Sequence, residues 1–477
     1  MDGALSQEPP GSPKRLVVLG GGPAGLAAAH LAQEQGHEVT LVERHPWIGG
    51  KGASRRSGGY VLDFGPHAYH PRTRAINELI ERHAGSDYLL GPVRMELVLA
   101  GRNLQYPFRL VEGLRKLPPG LSARIVSGFL AARVRRLFRE PSTESFRTWG
   151  EGQFGSALYR LCFGDYTERV WGVSADELSV ELARRKLPRL SVRALLREIL
   201  FRRSTMHAHL FGNDFGYHRL GIGSVFEAIA AGIEERGGRI LRGHEVTSLR
   251  LGPDGRVAGV GVAGPDGRSD VACDGVVSTI PLTRLGELLP GAGRGDGSPG
   301  GRLEFRSIVL AYAALRRPRF SRAHWTYLVD GRFHFQRISE QKNLSAACCP
   351  AGTTMLTLET SELSAPRGAP DLRRHVEEDL GFFGVRGDEI ESLEDFHLAD
   401  AYPVYRSGYA TVLARALERL EPIGNLVSTG RQGLFLDIDM HDAMVLGRLA
   451  VDALARGEAA GFHREHERRL ERAKAAG

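Results

Sequence analysis

A glycine-rich turn between two apolar runs near the N-terminus constrains the fold more than any other feature of this chain. Residues 15–44 read RLVVLGGGPAGLAAAHLAQEQGHEVTLVER, with β-branched residues in both outer runs and alanine-rich sequence between them. Continuous apolar runs predict strands buried on both faces, and the alanine-rich middle predicts a helix. The segment therefore predicts a β-α-β unit in a parallel sheet.

Gly20, Gly22 and Gly25 form a GxGxxG motif at the turn between the first strand and the helix. In such a motif the first glycine permits the tight turn, the second lets the backbone approach a pyrophosphate, and the third allows close packing of helix on strand. Pro23 and Ala24 open the helix, whose N-terminus presents its positive dipole end to phosphates. The turn therefore predicts a dinucleotide site that includes these five residues.

The end of the second strand and the loop after it favour one dinucleotide over the other. Glu43 is placed to accept hydrogen bonds from the adenosine ribose, and Arg44 follows it directly. The next stretch, RHPWIGGKGAS, carries a second glycine pair, Gly49 and Gly50, before Lys51. A flavin extended across the domain needs this second close approach of the backbone, whereas a nicotinamide cofactor does not. The loop therefore favours FAD over NAD, with an ordinary glycine loop as the alternative interpretation.

The composition excludes several classes of protein. The four cysteines, Cys162, Cys273, Cys348 and Cys349, show no metal-ligand spacing, so we expect reduced thiols and no metal. The absence of an apolar run of about eighteen residues and of a signal-peptide pattern predicts a cytoplasmic protein without stable membrane insertion. The net charge of +7 comes without a nucleic-acid-binding motif, so no nucleic-acid partner is expected. Scattered surface arginine, or a basic groove for a phosphorylated substrate, accounts for the charge.

Changes in sequence pattern predict the domain organisation. The predicted fold class is α/β, with a Rossmann-type FAD-binding domain, an inserted helical domain and an antiparallel-sheet substrate domain. The predicted segments are a disordered tail (1–13), the first part of the FAD-binding domain (14–105), the helical insertion and substrate domain (106–210), the second part of the FAD-binding domain (211–290), the antiparallel-sheet substrate domain (302–400), and the third part of the FAD-binding domain with a last helix from about 441 to 455 (401–477).

The helical insertion carries amphipathic, arginine-rich sequence. Ile125 and Phe129 repeat at helical spacing, and so do Val126, Leu130 and Val134. These stripes predict packing against the rest of the protein, with peripheral contact to a membrane surface as the alternative.

Six stretches together resemble one enzyme family. They occur in the order HPWIGG, DFGPHAYHP, LYRLCFGDYTERVWGVSADEL, FHFQRISEQKNLS, AYPVY and GNLVSTGRQGLFLDIDMHDAM. In this order and approximate spacing they resemble the UDP-galactopyranose mutases, with the flavin amine oxidases and protoporphyrinogen oxidases as wider relatives. The resemblance implies non-covalent FAD and one of two chemistries. Reduced flavin attacks the anomeric carbon of a sugar in the mutases, whereas oxidised flavin accepts a hydride in the oxidases, and the fold cannot decide between them.

The resemblance implies roles near the flavin ring and the substrate. His67 and His70 match the mutase stretch that passes the ring, with His67 the better catalytic candidate. Tyr166 and Trp171 match aromatic residues that look like the substrate wall, although core packing explains Trp171 equally well. Tyr402 matches a tyrosine near the substrate, with a strand end as the alternative.

Arginines that suit a diphosphate follow from the same resemblance. Arg337 matches an arginine that reaches the substrate diphosphate in the mutases, and a guanidinium suits that bidentate task. Glu340 and Lys342 are placed to form a structural ion pair beside it. Arg189 and Arg193 are alternative candidates for a second such arginine, and each is equally consistent with a solvated helix position.

The C-terminal motif implies the second half of the flavin site. Its last helix is expected to aim free backbone N–H groups at the pyrimidine end of the flavin ring. The further cofactor contacts that the resemblance implies are Val246, Gly430, Arg431, Asp439 and Met440.

One departure from the mutase pattern bears on the substrate. Asp437 stands where the mutases have a tyrosine that contacts the diphosphate, and a buried unpaired carboxylate would repel that group. An intact flavin motif with an altered diphosphate motif predicts an FAD-dependent oxidoreductase that transfers a hydride to or from a polar small molecule, sugar- or amine-containing, with Asp437 as a substrate contact or base. The alternatives are a redox-neutral nucleotide-sugar mutase and a non-catalytic flavin-binding accessory protein. The sequence leaves open whether the protein forms a homodimer.

Overall fold

The structure is a computed structural model, and it describes residues 14–106, 110–138, 144–186, 214–289, 303–363 and 371–476. The predicted tail at 1–13 lies outside these ranges, as do Arg189 and Arg193. Every other residue singled out above lies within them.

Strands make up three larger sheets and two short pairs in the described ranges. They are β1 Arg15–Leu19, β2 Glu38–Glu43, β3 Ser54–Ser57, β4 Tyr60–Asp63, β5 Tyr88–Gly91, β6 Met95–Leu99, β7 Arg102–Tyr106, β8 Phe215–His218, β9 Arg239–Arg242, β10 Glu245–Leu251, β11 Val257–Gly264, β12 Gly267–Ala272, β13 Gly275–Ser278, β14 Glu304–Leu315, β15 Trp325–Leu328, β16 Arg337–Glu340, β17 Thr354–Ser361, β18 Ile390–Val404 and β19 Leu426–Ser428.

Helices cover the parallel sheet and fill the insertion. They are α1 Pro23–Glu34, α2 Arg74–Ala84, α3 Leu110–Lys116, α4 Pro119–Phe138, α5 Phe146–Phe154, α6 Ser156–Tyr159, α7 Asp165–Trp171, α8 Val180–Lys186, α9 Gly223–Glu235, α10 Leu282–Leu288, α11 Leu372–Gly381, α12 Tyr409–Glu418, α13 Gly430–Gly433, α14 Met440–Ala455 and α15 Ala459–Ala476.

The predicted β-α-β unit is confirmed at the centre of a parallel sheet. The strand order there is β19-β13-β1-β2-β9, and β1 pairs in parallel with β2 through Val17 and Thr40. Helix α1 begins at Pro23, because the fixed φ of proline suits the first helical position. It ends before Gly36, whose φ of 80° lies in the left-handed region. The sheet therefore presents the carboxyl ends of β1, β2, β13 and β19 at one edge.

The long sheet takes strands from both sides of the helical insertion. Its order in the described residues is β18-β14-β17-β16-β15-β6-β7, antiparallel except where β15 pairs in parallel with β6. Residues 95–106 therefore belong to this sheet, whereas the sequence pattern placed 95–105 in the first part of the FAD-binding domain. A short apolar run reads alike in either sheet, so only the pairing partner distinguishes them.

The two predicted apolar stripes of the helical insertion differ in burial in α4. Ile125 and Phe129 are buried, whereas Val126, Leu130 and Val134 are 43%, 54% and 55% exposed. Packing therefore accounts for the first stripe and not for the second. Among the helices of the described residues, none combines the length and the apolar character that a membrane span requires.

The C-terminal segment contains one helix more than predicted. The helix predicted from about 441 to 455 is α14, and α15 follows it after a short turn, so the prediction that α14 is the last helix was wrong. Arginine and glutamate dominate the sequence of α15. Its buried apolar residues Phe462 and Leu470 are too few to give a clear helical periodicity. Helix α14 packs directly on the backbone of α1. A Cβ on Gly447 of α14 would lie 2.1 Å from the carbonyl oxygen of Ala24 in α1.

Candidate functional site

The glycine turn after β1 leaves no room for side chains. Gly20 has a φ of 101°, and its N–H donates to the carbonyl of Val42 at 2.8 Å. A Cβ on Gly25 would lie 1.9 Å from the carbonyl oxygen of Gly20. The first and third glycines of the motif are therefore needed for the turn and for the packing of α1.

Glu43 fixes this turn from the end of β2. One carboxylate oxygen accepts from the N–H of Gly21 at 2.8 Å, and the other accepts from the N–H of His45 at 2.8 Å. The side chain is buried, yet it borders the cavity described below. Each oxygen keeps a second lone pair, so Glu43 can still accept from a ribose hydroxyl.

Gly22 and Gly50 pack against each other and line one end of a cavity, and this end is called the slot. The N–H of Gly49 donates to the carbonyl of Gly21 at 2.9 Å, which holds the second glycine pair against the first motif. A Cβ on Gly22 would meet only the Cα of Gly50, at 3.9 Å. Bare backbone on this wall of the cavity lets a pyrophosphate approach closely, so the slot fits that group.

A cavity of about 410 Å³ extends from this slot along the edge of the parallel sheet. Three distant parts of the chain build it, within 20–67, 244–284 and 396–443. The predicted cofactor residues that line it are Gly20, Gly22, Pro23, Ala24, Glu43, Arg44, Gly50, Lys51, Val246, Arg431, Asp439 and Met440. Gly25, Gly49 and Gly430 do not line it, and at Gly430 a Cβ would lie 2.7 Å from the Cβ of Ala24. The cavity thus brings together the first glycine motif, the second glycine pair and the start of α14, as a dinucleotide site requires.

Lys51 places an amine inside this cavity. Its Nζ donates to the carbonyl of Ala399. Burial lowers the pKa of Lys51 to about 8, and the nearby carboxylate of Asp400 opposes that shift. The amine is therefore mostly protonated at pH 7 and becomes neutral just above the physiological range.

FAD affinity is expected to fall as the pH rises through about 8. The protonated amine of Lys51 attracts a pyrophosphate, and because the pKa is depressed to about 8 in the empty site, this attraction is lost above that pH. The dissociation constant of FAD, titrated into apoprotein, should rise up to about tenfold per pH unit above 8. The variant Lys51→Met should bind FAD more weakly and without this pH dependence. An equally steep slope in the variant would contradict the assignment.

The first turn of α14 is capped at the cavity wall. Asp439 is its N-cap, and its side chain accepts from the N–H of Asp442 at 2.9 Å. Arg72 pairs with Asp439 at 2.5 Å and with Asp442 at 3.1 Å. The prediction that a helix begins at this point is confirmed. Arg72 escaped the sequence analysis because it follows the DFGPHAYHP stretch directly and is not part of it.

An ion pair lies beside Tyr402 where the substrate is expected. Arg337 and Glu359 pair at 2.5 Å, with 20% and 12% of their side chains exposed. The hydroxyl of Tyr402 donates to Glu359 at 3.2 Å, and Arg337 donates to the same hydroxyl at 3.3 Å. Sequence reasoning missed Glu359. The available signal was a glutamate within the otherwise apolar and threonine-rich strand β17, since a buried acid needs a partner.

A second ion pair lies over the ring of Tyr402. Arg431 pairs with Asp437, and the Arg431 guanidinium lies 5.0 Å from the centre of the Tyr402 ring. Asp437 is only 3% exposed and does not border the cavity. Its N–H donates to the hydroxyl of Tyr405 at 2.8 Å. The carboxylate therefore faces an arginine, and the isolated charge that the sequence suggested is not what the structure contains.

His67 borders the cavity next to these pairs. Its Nε2 lies 3.1 Å from the carbonyl of Phe64, so that nitrogen carries the proton and donates. Burial lowers the pKa of His67 to about 4, and the positive charge of Arg337 acts in the same direction. His67 is therefore neutral at pH 7, with the Nδ1 lone pair as its acceptor.

The other predicted substrate residues are spread over different surroundings. His70 stacks on Phe215 with ring centres 4.8 Å apart, and it does not border the cavity. Trp171 is buried, with its ring 6.0 Å from that of Tyr402, which is consistent with a packing role. Burial raises the pKa of Tyr166 well above its usual value, so its hydroxyl stays protonated.

The ion pair predicted between Glu340 and Lys342 does not form. Glu340 accepts from the backbone N–H groups of Phe320 and Ser321, both at 2.8 Å. Lys342 instead donates to the carbonyl of Thr353 at 2.5 Å. Both side chains therefore bind backbone groups. The spacing of the two residues in the sequence cannot reveal these partners.

Comparison with known proteins identifies the family of this site. The model of the family described as flavin containing amine oxidoreductase matches residues 23–455. The chain belongs to this family. The match confirms the predicted flavin cofactor FAD, and it agrees with the glycine-walled cavity that three parts of the chain build.

Individual relatives match this chain over shorter stretches. The coproporphyrinogen III oxidase of Bacillus subtilis (strain 168) is 30% identical over 151 residues, covering 30% of this chain and 32% of the relative. The "Probable UDP-galactopyranose mutase" of Klebsiella pneumoniae is 24% identical over 221 residues, covering 46% of this chain and 53% of the relative. The chain thus spans about a third and about half of the lengths of these two relatives.

Solved structures show the fold over nearly the whole chain. The crystal structure of reduced UDP-galactopyranose mutase matches with a TM-score of 0.82 and 20% identity, covering 97% of this chain and 99% of that chain. Wild-type putrescine oxidase bound to putrescine matches with a TM-score of 0.61 and 14% identity, covering 93% and 99%. The predicted fold class is therefore confirmed, and identities this low leave the reaction open.

Proposed function

We propose that this protein is an FAD-dependent oxidoreductase that transfers a hydride between the flavin and a polar small molecule, sugar- or amine-containing and without a diphosphate. The observation that supports it is the pairing of both arginines beside Tyr402. Arg337 has Glu359 as its partner, and Arg431 has Asp437. A guanidinium already neutralised by a carboxylate has little net attraction left for a diphosphate.

Electroneutral surroundings favour a neutral or cationic substrate. The two pairs place two positive and two negative charges around Tyr402, and the rings of Tyr327 and Tyr402 lie within 6 Å of a guanidinium. Aromatic rings and fixed hydrogen-bond groups suit the face of a sugar or an amine. A substrate that carries several negative charges would have to displace an existing carboxylate.

The residues of this chain have distinct tasks in that reaction. FAD, when bound, supplies the ring that exchanges a hydride with the substrate. The neutral His67 offers Nδ1 as the acceptor for the proton that leaves a substrate hydroxyl or ammonium group. Tyr402, held by Glu359 and Arg337, orients the substrate, and the burial of this cluster excludes water.

Anaerobic mixing with candidate substrates tests this proposal. Purified FAD-loaded protein would be mixed with neutral sugars, sugar amines and alkyl amines, and the visible absorbance of oxidised flavin would be followed. We expect at least one class to bleach the flavin with saturable kinetics. A flavin that stays oxidised across the whole panel would count against the proposal.

His67→Gln is expected to slow flavin reduction about 100-fold with any substrate that bleaches the flavin, because the proton acceptor is lost. Since the pKa of His67 is about 4, the wild-type rate should show no loss from this group between pH 6 and 9, and it should decline only as the pH falls toward 4. His70→Gln is the matched control, because His70 does not border the cavity. Equal slowing in both variants would contradict the role of His67.

A redox-neutral mutase is the second candidate, and one observation favours it. Because Asp437 is paired with Arg431, its charge does not oppose a diphosphate as an isolated carboxylate would. In that case chemically reduced protein should isomerise a nucleotide sugar between its pyranose and furanose forms without net electron transfer. Isomerisation of UDP-galactopyranose by the reduced protein, with no bleaching by any neutral substrate, would favour this function over the first.

A further inference from the structure

A second cavity, of about 480 Å³, lies at the edge of the long sheet. It shares no lining residue with the cavity described above. Arg94, Arg319 and Arg322 converge on it from two separate parts of the chain. Its volume falls within the range typical of small-molecule sites.

No acidic residue lines this cavity in the part of the chain that the structure describes. Among the described residues, none of the three arginines has a carboxylate within ion-pair distance. The contrast is Arg317, two positions from Arg319, which pairs with Glu389. Three like charges around one cavity repel one another, and an anion placed between them would remove that repulsion.

A buried acid holds the loop that carries two of the arginines. Glu340 is 1% exposed and accepts from the N–H groups of Phe320 and Ser321, both at 2.8 Å. The side-chain amide of Asn343 donates to the carbonyls of Ala323 at 2.6 Å and Ser321 at 3.2 Å. The backbone between Arg319 and Arg322 is therefore fixed before any ligand binds, which reduces the entropy lost on binding.

His324 fixes the third arginine relative to that loop. The backbone N–H of His324 donates to the backbone carbonyl of Arg94 at 2.8 Å. The ring Nδ1 of His324 accepts from the backbone N–H of Arg94 at 2.9 Å. Burial lowers the pKa of His324, so it is neutral near pH 7 and the arginines alone supply the positive charge.

We propose that this second cavity binds the phosphate group of a phosphorylated small molecule. Three exposed arginines on a backbone that is held in place can bring their guanidinium groups to the several acceptor oxygens of a phosphoryl group. The remaining lining, which includes Met95 and Tyr106, provides apolar and aromatic surface for the organic part of the ligand. The site is independent of the proposed redox reaction, because none of its lining residues borders the flavin cavity.

Calorimetric titration of the FAD-loaded protein tests this site. Inorganic phosphate and ribose 5-phosphate are the probes, and free ribose is the ligand control. Because FAD occupies its own cavity, phosphate cannot bind beside Gly22 and Gly50. We expect saturable binding of both phosphate probes at one site, weakened by added salt, and no binding of ribose.

The double variant Arg319→Gln/Arg322→Gln should weaken both phosphate probes at least about tenfold. Arg239→Gln/Arg268→Gln removes the same charge from exposed strand positions outside both cavities and should change the affinity by less than about twofold. The flavin absorbance and the thermal midpoint of each variant report on folding. Absence of saturable binding to the wild type, or equal weakening in both double variants, would overturn the proposal.

Discussion

Gly22→Ala is expected to abolish FAD binding while the apoprotein keeps its fold. Gly22 has a φ of −78°, which alanine adopts without strain, and its methyl group would meet only the Cα of Gly50, at 3.9 Å. Folding therefore meets no steric obstacle. The same methyl group would stand on the cavity wall at Gly22, where a pyrophosphate requires bare backbone. The dissociation constant of FAD should rise at least about 100-fold, equivalent to about 2.7 kcal/mol.

Two other glycines separate a binding defect from a folding defect. Gly286→Ala in α10 is the neutral control, because no atom lies within 4 Å of the added Cβ. Gly25→Ala should instead destabilise the apoprotein, since its methyl group would lie 1.9 Å from the carbonyl oxygen of Gly20. FAD titration into apoprotein and thermal unfolding of each apoprotein measure the two effects separately. Wild-type FAD affinity in Gly22→Ala would refute the assignment of the slot.

Glu359→Gln is expected to turn the surroundings of Tyr402 into an anion site. Glutamine keeps a hydrogen-bond acceptor for Arg337 but removes the opposing charge. The freed guanidinium should then attract a diphosphate, so the affinity for UDP should rise at least about tenfold, or about 1.4 kcal/mol. Because a largely buried pair loses one charge, the free energy of unfolding should also fall, by up to about 3 kcal/mol.

The matched control for this change is Glu394→Gln. Glu394 forms a more exposed pair with Arg55, and neither residue borders the flavin cavity. UDP binding would be measured by calorimetry on the FAD-loaded proteins, with urea unfolding to measure stability. Unchanged UDP affinity in Glu359→Gln would show that Arg337 does not face the substrate. Tight UDP binding by the wild type would argue for the mutase alternative.

The sequence was sufficient to predict those parts of the site that depend on a close approach of the backbone. GxGxxG, the second glycine pair and the helix start at Asp439 each need particular residues at fixed spacing, so the motifs predicted the β-α-β unit and the walls of the cavity. A backbone approach leaves a local signature, because only glycine fits the positive φ of Gly20 and Gly49.

Partners distant in sequence could not be predicted. Glu359 and Arg337 meet because β16 and β17 are neighbours in the long sheet, and nothing in either stretch names the other. Asp437 and Arg431 are only six residues apart, yet their pairing depends on how the chain turns between them, so Asp437 looked like an isolated charge. Charge balance in a buried site is a tertiary property, and a departure from a family motif cannot be interpreted until the partner of the new side chain is known.

The origin of the cavity walls in three distant parts of the chain has a consequence for biosynthesis. The wall contributed by residues 396–443 leaves the ribosome after all the others, so a growing polypeptide holds only an incomplete flavin pocket. Flavin loading is therefore a late maturation step, and the newly released apoprotein is the form that proteases and chaperones encounter. At a free FAD concentration of about 100 times Kd, loading would add about 2.7 kcal/mol of stability. A cell short of riboflavin is accordingly expected to contain less of this protein, even with unchanged transcription and translation.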